Sequence, residues 1–153
     1  MSFSPTVARQ ALATQLDGVI NSSAQRANIH AFPHGSPNLN AILILPRAGA
    51  DGLYIDYRQT FGPNSLCRMS LWVEVRVGGD SPSADMEMDR YLTPGSGESI
   101  FDAIDVDNTL GGSVGDCTVE RGVTPPAWFE SGDGTTSRTW LAARFAIDIE
   151  ESR

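Results

Sequence analysis

Lysine is missing from this sequence altogether: all 11 basic residues are arginines. Chemistry that needs an amine able to lose its proton is therefore excluded, because a guanidinium stays charged. Positive charge is also scarce, since 19 carboxylates against those 11 arginines leave a formal net charge of −8. That balance argues against nucleic-acid binding through phosphate contacts, which needs a basic surface. Cysteine is rare. Cys67 and Cys117 lie far apart and build no disulfide framework. "MSFSPTVARQALATQLDGVI" has no basic leader ahead of an apolar run, so no secretion signal is expected there. The two cysteines are then expected as buried thiols in a reducing cytoplasm. No apolar run approaches the ~20 residues that cross a membrane as a helix.

What is present reads as one domain. The chain has 153 residues, 41% of them hydrophobic and 20% charged, enough for a real core. Ser4-Pro5 starts a helix, and Val7, Leu12, Leu16, Val19 and Ile20 give it an apolar stripe that Asn21-Ser22-Ser23 ends. Residues 28–40, rich in proline and asparagine, read as an extended surface connection. Ala41–Leu45 is a short apolar strand. Leu53, Ile55, Tyr57 and Phe61 alternate with polar residues, and after the "FGPNS" turn Met69, Leu71, Val73, Val75 and Val77 do the same, which predicts an antiparallel hairpin. Ser81-Pro82 opens a helix with Met86, Met88, Tyr91 and Leu92. A further helix from about Glu98 is expected to bury Ile100, Phe101 and Ile104. A strand follows from about Val114 to Arg121, then a long arm at 123–137 carrying Trp128 and Phe129. The closing strand turns Leu141, Ala143, Phe145, Ile147 and Ile149 inward, with Trp140, Ala142, Arg144 and Asp148 outward. The expected class is α+β: an antiparallel sheet with helices packed on one face.

Several short motifs suggest chemistry. Asp105, Asp107 and Thr109 spell D-x-D-x-T, the nucleophile motif of haloacid-dehalogenase-like phosphatases. In a magnesium-dependent phosphatase Asp105 would be the phosphoryl acceptor, and Asp105→Asn would abolish turnover. That chemistry needs the first aspartate at the carboxyl end of a parallel strand in a doubly wound sheet. Here helical spacing precedes it, too little chain follows, and the required lysine is absent. An EF-hand is excluded too, because the register supplies Leu110 and Asp116 where glycine and glutamate are needed. The aspartates are therefore expected to be solvated turn residues, with Gly111-Gly112 leading into the next strand. His30 and His34 have a spacing seen in zinc sites but lack further ligands nearby. "PGSGES" lacks both the third glycine of a dinucleotide fingerprint and the lysine of a P-loop. No catalytic residue, metal site or cofactor is expected, and the protein is read as not an enzyme. Trp72 and Trp140 fall on the polar faces of their strands, where they either pack or make contacts. Trp128, Phe129 and Arg58 are the candidates for a protein interface, since aromatics and arginine anchor such surfaces.

The order of segments resembles a known family. "YIDYRQTFGPNSLCRMSLWVEVRV", "DRYLTPGSGESIFDAIDVDNTLGG" and "WLAARFAIDIE" resemble the hairpin, the helix–GSG–helix–TLGG segment and the last strand of tail terminator proteins. Those proteins belong to long-tailed (siphovirus-type) bacteriophages of actinobacteria, whose GC-rich hosts suit a chain without lysine. The resemblance implies a structural virion protein: a homo-oligomeric ring, usually a hexamer, at the head-proximal end of the tail. Such a ring stops polymerisation of the tail tube protein and then docks the head-completion (stopper) protein. It implies no cofactor, no membrane, assembly in the host cytoplasm, and DNA passing through the lumen without specific binding. A head–tail connector or stopper of the neck is the alternative reading.

Overall fold

In the computed structural model, residues 4–35, 37–49, 52–57, 66–79, 82–123, 125–132 and 137–152 are described. Among the described residues the architecture is α+β, three helices on a mixed sheet of seven strands. In chain order the elements are α1 (Pro5–Ile20), β1 (Asn28–His30), β2 (Ala41–Pro46), β3 (Ile55–Tyr57) and β4 (Leu66–Gly78). Then come α2 (Pro82–Leu92), α3 (Ile100–Val106), β5 (Asp116–Val123), β6 (Ala127–Gly132) and β7 (Ser137–Ser152). No helix among the described residues is long and apolar enough to cross a membrane.

The centre of the sheet is the antiparallel pair β4–β7. Met69, Leu71, Val73, Val75 and Val77 stand opposite Ile149, Ile147, Phe145, Ala143 and Leu141. All ten are buried, as their period-2 alternation requires when one face meets a core. The three helices cover that face, and one apolar cluster joins them to the strands. Ser4 caps α1 by accepting from the Val7 amide, with Pro5 in the first turn. The helix buries Ala8, Leu12, Leu16 and Ile20, a strict i+4 row, while Val7 is exposed. One residue is about 100° of rotation, so the small Ala8 rather than Val7 faces the sheet. The same geometry corrects α3, where Ile100, Ala103 and Ile104 are buried and Phe101 is exposed.

Two further expectations are corrected, and a third is met in its described part. The sheet is mixed, because β1 pairs parallel with β2 inside the segment read as a surface connection; a three-residue strand is too short to show a period. In the expected 53–61 hairpin, Ile55–Tyr57 pair antiparallel with Cys67–Met69, and the 58–65 part lies outside the described residues. The long neighbours of β4 are instead β2 and β7. The described part of the 123–137 arm is largely strand: β5 runs to Val123, and β6 pairs antiparallel with β7, Ala127 opposite Ala142 through Gly132 opposite Ser137. Pro125 and Pro126 lack ladder N–H groups and split what would otherwise be one long edge strand into β5 and β6. That break, and the exposure of both faces of β6, hide the strand from a search for alternation.

Candidate protein interface

The motifs that suggested chemistry turn out to be turns that bind themselves. Asp105 is exposed near the end of α3. Asp107 caps that end, its carboxylate accepting from the Thr109 hydroxyl at 2.6 Å, the Gly111 amide at 2.9 Å and the Thr109 amide at 3.0 Å. These donors hold the Asp107 carboxyl below its ordinary value, the Thr109 hydroxyl foremost. Thr109 in turn accepts from the Gly112 amide. Leu110, Gly111 and Gly112 all have positive φ (51°, 71° and 82°), which explains the paired glycines. Asp107 is thus bonded within its turn rather than merely solvated, and Asp105 lies in a helix instead of at the end of a buried parallel strand.

"PGSGES" is likewise a cradle already filled. The Asp102 carboxylate accepts from the Gly97 and Gly95 amides at 2.7 and 2.8 Å and closes a capping box with Ser99. Desolvation works against its charge, but the bonds from Gly95, Ser99 and Gly97 prevail and hold the carboxyl below the usual aspartate range. His30 sits half-buried in β1 and His34 in the connection after it. Among the described residues no group of three His, Cys, Asp or Glu side chains is placed to hold a metal. Cys67 and Cys117 are buried and not joined in a disulfide, and burial pushes the Cys117 thiol up to about 12.

The sheet face opposite the helices carries a ladder of ion pairs. Glu74 is only 4% exposed and takes the Nε groups of Arg76 and Arg144 at 2.5 and 2.6 Å. Arg47, also buried, reaches Asp148 at 2.8 Å and Glu120 at 3.7 Å, and Ser70 donates to the same Asp148 oxygen. Glu120 lies against Asp148, and that contact is the main cause raising the Glu120 carboxyl. Arg68 bonds Glu150 across the strands. Trp72 lies between the guanidinium groups of Arg47 and Arg144, at 5.4 and 5.8 Å. Trp140 has Arg76 at 5.3 Å and Phe129 at 6.1 Å. Both tryptophans thus have partners within the chain. Sequence parity placed them on this face but could not reveal Glu74 and Arg47 as its buried charges, because their partners come from other strands.

Of the three interface candidates, Trp128 and Phe129 are 44% and 48% exposed; Arg58 lies outside the described residues. The two aromatics do not form one patch. Phe129 stands opposite Trp140 on the ion-pair face, and Trp128 opposite Leu141 on the helix face. Other large apolar side chains are equally exposed: Phe32, Tyr57, Met86, Phe101 and Val106. Phe101 was missed because its helical spacing suggested burial. It lies where α3 meets β5, at the junction of two adjoining cavities of about 230 and 280 Å³. Leu92, Val119, Val123 and Phe145 supply the apolar part of the larger cavity, which Glu120 lines while its carboxylate turns to Arg47; Asp105 lines the smaller. The groove follows β5, which ends the path of the sheet on this side as β1 does on the other.

Compared with known proteins, the chain matches no family model, and no curated protein is similar to it at a significant level.

Proposed function

We propose that this chain is the tail terminator of a long-tailed bacteriophage, a structural protein whose ring closes the head-proximal end of the tail tube. It stops tube polymerisation there and offers the head-completion protein its docking surface. The resemblance of its segments, in order, to tail terminators supports this reading. The observation that carries it furthest is the β6–β7 pair: it extends the central ribbon and presents Trp128 on one side and Phe129 on the other, both half-exposed. A ring between tube and head needs contacts on more than one face of each subunit, and aromatic anchors are the usual means. The acidic balance suits a lumen through which DNA slides without adhering.

The test is electron microscopy of the lysate from a phage lacking this gene. Overlong, headless tails beside full heads are expected. Tails of normal length that fail to join heads would instead assign the chain to the neck, as a connector or stopper, and would overturn the terminator reading.

A further inference from the structure

We propose that the two edges of the sheet fit one another in successive copies of this chain. The β1 edge of one copy seats against the β5 edge of the next; Phe32 fills the groove beside Phe101, and Arg9 meets Asp105.

Charge argues for the pairing. From Gly18 to Pro46, around β1 and β2, the chain has no Asp or Glu, whereas Glu98 to Gly132, around α3, β5 and β6, has seven carboxylates and one arginine. Arg9 donates to the Ile44 carbonyl at 2.7 Å and lies 4.4 Å over the Phe32 ring. No carboxylate among the described residues pairs with it, in contrast to Arg26, Arg47, Arg68, Arg76, Arg90 and Arg144. The β1 edge therefore presents an unneutralised guanidinium on a 47% exposed aromatic ring. The β5 edge presents an apolar groove with the exposed Asp105 carboxylate at its rim, while Glu120 turns its own carboxylate to Arg47 on the opposite face. Two β5 edges would repel, so the attraction selects unlike edges.

Layer and direction agree with this. Arg9 belongs to α1, which places Phe32 on the helix-covered side of the sheet, and the groove opens on that side between α3 and β5. β1 runs with β2, and the pairs β2–β4, β4–β7 and β7–β5 are each antiparallel. β1 and β5 consequently run in opposite directions, and a sheet continued from copy to copy joins them antiparallel, the more stable mode. Contacts between unlike surfaces close into rings or grow as filaments. Closure into a ring rests on the terminator reading, while the contact between copies does not.

Sedimentation velocity of the full chain and two variants tests the contact. Phe32→Ala/Arg9→Glu removes the projecting pair and keeps the groove; Phe101→Arg/Asp105→Arg blocks the groove and keeps the projecting pair. Circular dichroism checks that both remain folded. Each variant alone is expected to dissociate, its dissociation constant rising about tenfold or more. Mixed together they should form 1:1 dimers and nothing larger, because one intact interface remains. A wild-type chain that stays monomeric, variants that assemble like wild type, or a mixture that does not dimerise would each overturn the proposal. The terminator reading falls or stands separately, on tail length in the phage lacking the gene.

Discussion

Replacing Asp102 by Asn gives a direct measure of how the loop before α3 is held. The wild-type carboxylate takes the amides of Gly95 and Gly97 with its two oxygens and closes the capping box with Ser99. Asparagine keeps the shape but has one acceptor oxygen and no charge, so at least one of these bonds is lost. Losing a helix-capping side chain costs ~1 kcal/mol. Gly95 and Gly97 are exposed, so water replaces part of what they lose and the total stays near ~1–2 kcal/mol. For a chain of this size each kcal/mol moves Tm by about 2–4 °C. The native carboxyl is held below its ordinary value, so its contribution is complete above an unfolded aspartate's pKa of about 4 and fades as pH falls through the lower native value. Urea denaturation and thermal melting of both proteins between pH 7 and pH 2 test this. Asp102→Asn is expected to melt about 2–8 °C lower at pH 7 and to converge with wild type at the acid end. A loss that is the same at both ends of the range would show that charge has no part in the cradle. No loss at pH 7 would refute the cradle altogether.

Three further outcomes are expected. Leu110 is buried at φ 51°, so Leu110→Ala should cost ~2–3 kcal/mol in urea denaturation. Leu110→Gly should recover ~1 kcal/mol of that loss, because glycine relieves the left-handed backbone; a glycine variant less stable than the alanine one would contradict this. Glu74→Gln leaves Arg76 and Arg144 facing a neutral group and should cost ~1–3 kcal/mol, since both arginines keep partial access to water. Glu150→Gln, at the more exposed pair with Arg68, should cost under ~1 kcal/mol, and equal losses would refute burial as the deciding factor. At Gly49 a Cβ would stand 2.1 Å from the Ser70 Oγ, whose hydroxyl is committed to Asp148. Gly49→Ala should therefore lower stability by ~1–3 kcal/mol in thermal melts.

Much of the fold was legible because its signals are local. Alternation over 69–77 and 141–149 marked which residues of β4 and β7 face the core, and the structure buries all of them. Ser4-Pro5 marked the start of α1. The reading of D-x-D-x-T as solvated turn residues held only in part: Asp105 lies within α3, and Asp107 is held in its turn by hydrogen bonds that were not visible. Less legible were the elements whose pattern is short or broken. β1 has three residues, β6 follows two prolines, and Phe101 has the spacing of a core residue but lies one step around α3.

The sequence by itself determined which face of each long strand is apolar, where helices begin, and that lysine chemistry is excluded, because these depend on residue type and spacing along one segment. Only the tertiary structure decided that β1 lies parallel to β2, that Glu74 and Arg47 are buried among cross-strand partners, and that Trp128 and Phe129 face opposite sides. It also set the groove of β5 and the Arg9 guanidinium, which no described carboxylate neutralises, at opposite edges of the sheet. The physical reason is that register and strand order bring together residues far apart in the chain, such as Glu74 with Arg144. A period of two gives the face a side chain points to, but not what it meets there.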